Sequence, residues 1–287
     1  MRFQRTVKKA VVLEGAGIHS GNKVRVTIKK SPVDTGIIFI RTDLKKRPTI
    51  AATVSNLASY SGSLRCTSIE KNGVSVYTIE HLMAALSSLN IDNAEIEVDN
   101  AELPVLDGSA LDYTSKLRKA GCLEQKKEKK EFVLKNPVWY REKNALLIAV
   151  PNKNFSISYL LRYDGMEHMT QCADFSFDGA EKKRDLFTKE IAPARTFCLY
   201  SEVSHILKKG LGKGGSYENT LVIKSGKPTK NKFRFRDEPA RHKILDLLGD
   251  LALLNAEIKA HIIGIRSGHS LNVRLLKKLA ELSGERL

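Results

Sequence analysis

The sequence predicts an α+β protein that consists of two domains of similar topology. Two predicted helices each begin near a histidine, His81 or His242, and each leads into the tetrapeptide Asn-Ala-Glu-Ile, which starts at position 93 in the first case and at position 255 in the second. A polar, highly charged segment at 125–131 separates the two regions. Because the repeat falls at equivalent places, we predict duplicated domains at 1–124 and 131–287, with 125–131 as the linker.

Alternating apolar and polar residues predict the strands of the first domain, and apolar residues at helical spacing predict its helices. One predicted hairpin turns at Lys71-Asn72-Gly73. The predicted strands cover 11–18, 23–29, 36–41, 67–70, 74–77 and 94–98, and the predicted helices cover 78–89 and 109–120.

The same criteria give an order of elements for the second domain. The predicted strands cover 132–140, 145–150, 156–162 and 257–265. The predicted helices cover 202–208, 239–254 and 271–282. The helix at 239–254 has the widest apolar stripe, which predicts that it packs on a core.

The bulk composition favours a globular enzyme or binding protein with anionic partners. The 287 residues carry a formal net charge of +16, which is typical of proteins that bind nucleic acid, acidic lipid or phosphorylated substrates. The sequence has neither an apolar run of membrane-spanning length nor a secretory signal pattern, so we expect a cytoplasmic protein. Its 4 cysteines are scattered, which favours reduced thiols over disulfides or a zinc ribbon.

His242 and Asp246 are four residues apart on a predicted helix and therefore lie on one face. Such a pair can hold a divalent ion, or it can simply support the helix at the surface. If pseudo-twofold packing brings the two repeated helices together, His81 meets this pair and supplies a third ligand. Two histidines and one carboxylate suit catalytic zinc, but they also suit non-haem iron(II), so the residues leave the metal open.

Three further residues are candidates for substrate chemistry. Glu80 directly precedes His81 and is either a general base or an N-terminal helix charge. His269 follows a strand and opens a helix, where a protonated imidazole can stabilise an oxyanion or donate a proton; alternatively it only starts the helix. His19 lies in a glycine-rich turn and either contacts substrate or has a structural role.

The run Gly-Leu-Gly-Lys-Gly-Gly at 210–215 matches G-x-G-x-x-G formally. A helix-like segment precedes it, whereas a dinucleotide site requires a buried strand, so we reject that interpretation. A flexible loop that shapes a substrate passage fits better. The sequence has no phosphate-binding P-loop and no nucleophile elbow.

The chain as a whole resembles a known family, the UDP-3-O-acyl-N-acetylglucosamine deacetylases of lipid A biosynthesis. The resemblance extends from Gln4-Arg5-Thr6 to the final helix, and its motifs occur in the family's order. These motifs are Thr78-Ile79-Glu80-His81-Leu82, Leu106-Asp107-Gly108-Ser109, Ala194-Arg195-Thr196-Phe197, the run 210–216, Arg241-His242-Lys243 with Asp246 and Asp250, and Ser267-Gly268-His269.

The resemblance implies a site between the helix layers of two sheet-and-helix domains. It implies one zinc ion per chain held by His81, His242 and Asp246, with Fe²⁺ as an alternative in the cell, and Glu80 as general base. His269, oriented by Asp250, would stabilise the oxyanion and assist the leaving amine. Thr196 would also hold the oxyanion, and Lys243 would bind a polar part of the sugar nucleotide.

The resemblance further implies an inserted element at about 197–223 that forms a tunnel for the fatty acyl chain. The residues expected at the tunnel or its border are Leu199, Val203 and Val222, opposite Ile18, together with Gly215 and Ser216. The expected partner is a small molecule, UDP-3-O-acyl-GlcNAc, rather than nucleic acid. We expect a monomer that makes transient contact with the inner membrane surface.

The alternative function is a basic RNA-binding α+β module without catalysis. The net charge of +16 favours it. Against it, the sequence has a single tryptophan and neither an RNP-like nor a KH-like motif.

Overall fold

A computed structural model describes the protein at residues 2–58, 65–166, 169–177 and 185–284. It confirms the α+β class. The elements described in the first part of the chain are the strands β1 (Phe3–Val7), β2 (Val11–Ala16), β3 (Lys23–Lys30), β4 (Ile37–Arg41), β5 (Thr49–Ala51), β6 (Ser68–Lys71), β7 (Val74–Tyr77), β8 (Ala94–Val98) and β9 (Cys122–Glu128), the helices α1 (Glu80–Ser88) and α2 (Leu111–Ala120), and a 3₁₀ turn at Val54–Asn56.

The rest of the described chain holds nine strands and three α-helices. The strands are β10 (Glu131–Val133), β11 (Val138–Glu142), β12 (Ala145–Pro151), β13 (Phe155–Leu161), β14 (Gln171–Phe177), β15 (Phe197–Leu199), β16 (Leu221–Lys224), β17 (Lys227–Pro228) and β18 (Glu257–Ile265). The helices are α3 (Tyr200–Lys208), α4 (Glu238–Leu251) and α5 (His269–Ser283), with a π-helical segment at Phe187–Ile191 and a 3₁₀ turn at Ala252–Leu254. Among the described helices, none is both long enough and apolar enough to cross a bilayer.

The two halves each contain a sheet of the same topology. The strand order is β2-β3-β8-β4-β5 in the first half and β11-β12-β18-β13-β14 in the second, where β10 also pairs with β18. β8 runs parallel to β4 and antiparallel to β3, as β18 does to β13 and β12. In both halves one helix precedes this central strand and another follows it. The duplication that the repeat predicted is therefore present in the fold.

The helices of the two halves meet each other between the sheets. α1 packs directly on α4, while α4 also covers β13 and β14 and α5 covers β11 and β12. A Cβ at Gly249 of α4 would collide with the carbonyl oxygen of Glu80 in α1. Glycine therefore permits the close approach of the two helices, each of which carries candidate ligands.

The segment 125–131, which we predicted as the inter-domain linker, consists largely of strand residues. Most of it belongs to β9, which pairs antiparallel with β1, and its last residue begins β10. β9 is largely solvent-exposed, so its charged side chains are compatible with an edge strand. β9 thus pairs within the first half and β10 within the second, and residues 129–130 join them.

The prediction of one continuous strand at 132–140 is wrong, because the structure divides this range between two strands, β10 and β11. Pro137 lies in the gap between them. Proline has no N–H to donate to a sheet and it restricts the residue before it, which explains the interruption.

Candidate metal centre

Glu80 and His81 occupy the first turn of α1, which begins two residues after a strained residue. Thr78 has a positive φ of 61°, an uncommon conformation for a β-branched residue. Its hydroxyl donates to Glu102 Oε1 at 3.2 Å. This turn ends β7 and starts α1 so that both functional side chains face the second half of the chain.

His242 and Asp246 lie one turn apart on α4, as the spacing predicted. The start of α4 is held by a buried ion pair in which Arg195 Nε is 2.8 Å from Glu238 Oε1. His242 Nδ1 donates to the carbonyl oxygen of Ala194 at 3.0 Å. This bond fixes the tautomer and leaves Nε2 of His242 free to bind a metal ion.

His81, His242 and Asp246 are brought together, and all three are buried. Asp246 Oδ1 lies 3.3 Å from His242 Nε2 and 3.8 Å from His81 Nε2. Ligand atoms about 2.0–2.2 Å from a tetrahedral zinc ion lie roughly 3.3–3.6 Å from one another. The donor set therefore suits one divalent ion in its chemistry, and its atoms, all within 4.8 Å of one another, lie close to that spacing.

The protonation states also suit a metal ion. Burial and the neighbouring His242 lower the pKa of His81 to about 3, and burial likewise lowers the pKa of His242. Both imidazoles are thus neutral, with a lone pair available. Burial opposes ionisation of Asp246, but the Lys243 ammonium and the charged His269 imidazole outweigh it and hold the pKa of the carboxyl well below its usual range. Lys243 Nζ is 2.8 Å from Asp246 Oδ2.

Glu80 is a buried carboxyl group beside these residues. Burial raises its pKa to about 8, although the charge of His269 opposes the shift. Its Oε2 accepts a hydrogen bond of 3.1 Å from the backbone N–H of Thr67. A carboxylate with a raised pKa is well suited to accept a proton near neutral pH.

His269 forms a buried pair with Asp250, as the resemblance implied. Its Nδ1 is 3.0 Å from Asp250 Oδ2, which also accepts a 2.7 Å bond from Asn272 Nδ2. Burial alone would lower the pKa of His269, but Asp250 outweighs this and raises it to about 9. The imidazole is therefore protonated at neutral pH and can act as a cation or a proton donor.

Thr67 is a site residue that sequence reasoning missed. Its hydroxyl donates to Asp250 Oδ1 and lies 3.1 Å from His269 Nδ1, while its N–H binds Glu80. No motif marks it, because its partners lie 13 and 183 residues away in the chain. The contacts with Asp250 and His269 form only through the packing of the two halves.

A single cavity of about 580 Å³ joins the candidate metal ligands to the inserted element. Its wall includes Glu80, Thr196, Lys243 and His269 as well as the three candidate ligands. The residues predicted for the acyl passage that line it are Ile18, Val203, Gly215, Ser216 and Val222, together with His19. These residues thus share one continuous space.

Leu199, also predicted as a tunnel residue, is not among the residues that line this cavity. It lies in β15 and is packed into the hydrophobic core rather than the cavity wall. Its neighbour Cys198 lines the cavity instead. Phe197, Ile206 and Leu207 complete the apolar lining near this point.

The fold and the buried His-His-Asp set define a two-domain α+β protein of the metalloenzyme class. Comparison with known families is more specific: the LpxC model, UDP-3-O-acyl N-acetylglycosamine deacetylase, matches residues 4–281. The chain belongs to this family.

Several curated relatives are similar to the chain over almost its full length. A protein of Thermodesulfovibrio yellowstonii is 37% identical over 281 residues, which cover 98% of this chain and 93% of the relative. One of Chlamydia abortus is 38% identical over 285 residues and 98% of each chain, and one of Syntrophus aciditrophicus is 36% identical over 98% of this chain and 87% of the relative. All three are named UDP-3-O-acyl-N-acetylglucosamine deacetylase.

Proposed function

We propose that the protein is a zinc-dependent amide hydrolase that converts UDP-3-O-acyl-N-acetylglucosamine into UDP-3-O-acyl-glucosamine and acetate, the committed step of lipid A biosynthesis. The observation that carries the proposal is the juxtaposition of the buried His81-His242-Asp246 set with Glu80 and His269 on one cavity. Membership of the deacetylase family supports the same reaction and does not favour the RNA-binding alternative.

His81, His242 and Asp246 would hold the metal ion, which we propose to be zinc, with Fe²⁺ as an alternative in the cell. A zinc ion there would supply Lewis-acid chemistry and lower the pKa of a water molecule. Lys243 keeps Asp246 ionised through their 2.8 Å ion pair.

Three residues would carry out the proton transfers and stabilise the developing charge: Glu80, His269 and Thr196. Glu80 takes a proton from the water that attacks the acetamide carbonyl carbon. The bond between this carbon and the nitrogen then breaks, and the acetyl group leaves as acetate. His269, charged and oriented by Asp250, stabilises the developing oxyanion together with the Thr196 hydroxyl. A proton delivered to the departing nitrogen releases the free amine.

The cavity supports a substrate with both a polar and an apolar part. Lys243 and His19 would contact polar groups of the sugar nucleotide. The walls formed by Ile18, Val203 and Val222 suit an alkyl chain. Removal of the acyl chain should therefore lower kcat/KM, which separates this substrate from other acetamides.

The direct test is acetate release from UDP-3-O-acyl-GlcNAc by protein of measured zinc content, with and without a chelator. We expect release that follows zinc content, stops on chelation and returns when zinc is restored. A fully zinc-loaded, folded protein that releases no acetate would rule out the proposed reaction. Salt-dependent RNA binding by the same inactive protein would favour the alternative.

We further propose that the protein acts as a cytoplasmic monomer that touches the inner membrane surface transiently. Tyr200 and Leu207 of α3 are 53% and 55% exposed, and Lys208 and Lys209 follow directly. Exposed apolar side chains beside lysines suit an anionic bilayer. The protein should sediment with anionic vesicles and not with zwitterionic ones, and the amount that sediments should decrease as salt is added. Equal sedimentation with both kinds of vesicle would contradict this proposal.

A further inference from the structure

We propose that Thr67 is a positioning residue, which holds the Asp250–His269 pair of the second half in a fixed relation to Glu80 of the first half. This inference rests on the proposed deacetylase function. Thr67 is only 3% exposed and immediately precedes β6. The wall of the cavity, as the described residues form it, does not include Thr67, so its role would be indirect.

The backbone of Thr67 is tied to the start of α1. Its N–H donates to Glu80 Oε2 at 3.1 Å, and its carbonyl oxygen accepts from the N–H of Ile79 at 3.3 Å. These hydrogen bonds to two consecutive residues, Ile79 and Glu80, fix the position and direction of the backbone at Thr67. The position of its side chain is therefore set by the same turn that presents Glu80.

The hydroxyl of Thr67 reaches the opposite half of the protein. It donates to Asp250 Oδ1, while Asp250 Oδ2 accepts from His269 Nδ1 and from Asn272 Nδ2. An ionised carboxylate can only accept, so the single hydroxyl proton must point toward Asp250. Donors at both oxygens prevent the buried carboxylate from rotating. Consequently the Nδ1–H of His269 stays directed at Asp250, and Nε2 stays directed away from it.

Loss of the hydroxyl would affect turnover more than substrate binding. Thr67→Val keeps the shape of the side chain but leaves Asp250 Oδ1 without this donor, so the orientation of His269 loosens. Removal of such outer partners typically costs about 10- to 100-fold in activity. We expect that loss in kcat with little change in KM, because Thr67 does not border the cavity.

Two variants separate a positioning role from a general effect on folding. Thr67→Ser retains the hydroxyl and should restore most of kcat. Thr114→Val is the matched control, since Thr114 is another fully buried threonine whose hydroxyl donates to a helix carbonyl, that of Ala110. It should leave kcat and KM unchanged.

The experiment measures kcat, KM and the NMR titration of His269 in zinc-loaded wild type, Thr67→Val, Thr67→Ser and Thr114→Val. We expect Thr67→Val to lower kcat and to shift the His269 titration to lower pH, and Thr67→Ser to reverse both. An unshifted titration in Thr67→Val overturns the inference. If wild type itself releases no acetate at full zinc loading, the proposed function fails, while the titration still decides whether Thr67 supports His269.

Discussion

A Cβ on Gly249 would overlap the main-chain carbonyl oxygen of Glu80, so the two helices that carry the candidate metal ligands meet backbone to backbone. Gly249 lies between Asp246 and Asp250 in the sequence, and Glu80 directly precedes His81. The contact thus sets the distance between the ligands of one half and those of the other. A small change in this spacing would alter the metal centre directly.

Gly249→Ala should destabilise the protein and weaken zinc binding. Alanine favours a helix over glycine by about 1 kcal/mol, whereas overpacking a tight contact typically costs about 1–3 kcal/mol. We expect the second effect to dominate, because the obstructing atom belongs to the backbone. Thermal unfolding and zinc titration would measure the two effects. A variant with raised Tm and unchanged zinc affinity would mean that the helices can separate without harm to the site.

The main features of the metal centre could be predicted because a repeat reveals symmetry. The repeated histidine and Asn-Ala-Glu-Ile indicated that His81 and His242 occupy equivalent helices, and the ring centroids of these two residues lie 5.0 Å apart. The i,i+4 spacing placed Asp246 beside His242 without further information. Local periodicity and symmetry therefore indicated which three residues meet, whereas the family resemblance implied that they bind a metal ion.

Other features depend on tertiary contacts that leave no local pattern. The apolar character of Leu199 fitted a tunnel wall, but tertiary packing places its side chain in the hydrophobic core. The charges of β9 resembled a linker because an exposed edge strand needs no apolar face. Thr67 meets Asp250 and His269 only when the two halves pack. These differences arise from tertiary packing rather than from residue type.

Glu80→Gln should retain the metal ion but lose activity. The amide keeps the shape of the side chain but cannot accept the proton of the attacking water, and loss of general base catalysis costs about two orders of magnitude or more. Steady-state kinetics at matched zinc content would measure the loss. The control is Glu97→Gln, because Glu97 lies on β8 in exposed ion pairs with Lys29 and Arg47. Near wild-type kcat in Glu80→Gln would remove it from the role of base.

His242→Ala should lower the zinc content of the purified protein. The substitution removes one of three protein ligands and also releases the Ala194 carbonyl from its hydrogen bond. Metal analysis after dialysis would measure the stoichiometry, with His205→Ala, an exposed position on α3, as the control. Unchanged stoichiometry in His242→Ala would show that this histidine does not bind the ion.

The pH–rate profile should be bell-shaped, and its basic limb should belong to His269. Glu80 acts when deprotonated, so activity falls as the pH drops through its pKa, which burial raises to about 8. His269 acts when protonated, so activity falls as the pH rises through its pKa of about 9. His269→Gln should therefore reduce kcat/KM at neutral pH and flatten the basic limb while the acid limb persists.

His269 also makes the free energy of unfolding depend on pH. The pKa of His269 is higher in the folded protein than its ordinary value of about 6.5, so its protonation stabilises the folded state. This contribution is fully present below about pH 6.5 and is lost as the pH rises through about 9. Denaturant unfolding of wild type and His269→Gln at pH 6 and pH 10 would measure it. We expect the difference in unfolding free energy between the two proteins to be larger at pH 6, and an equal difference at both values would contradict the charged state assigned to His269.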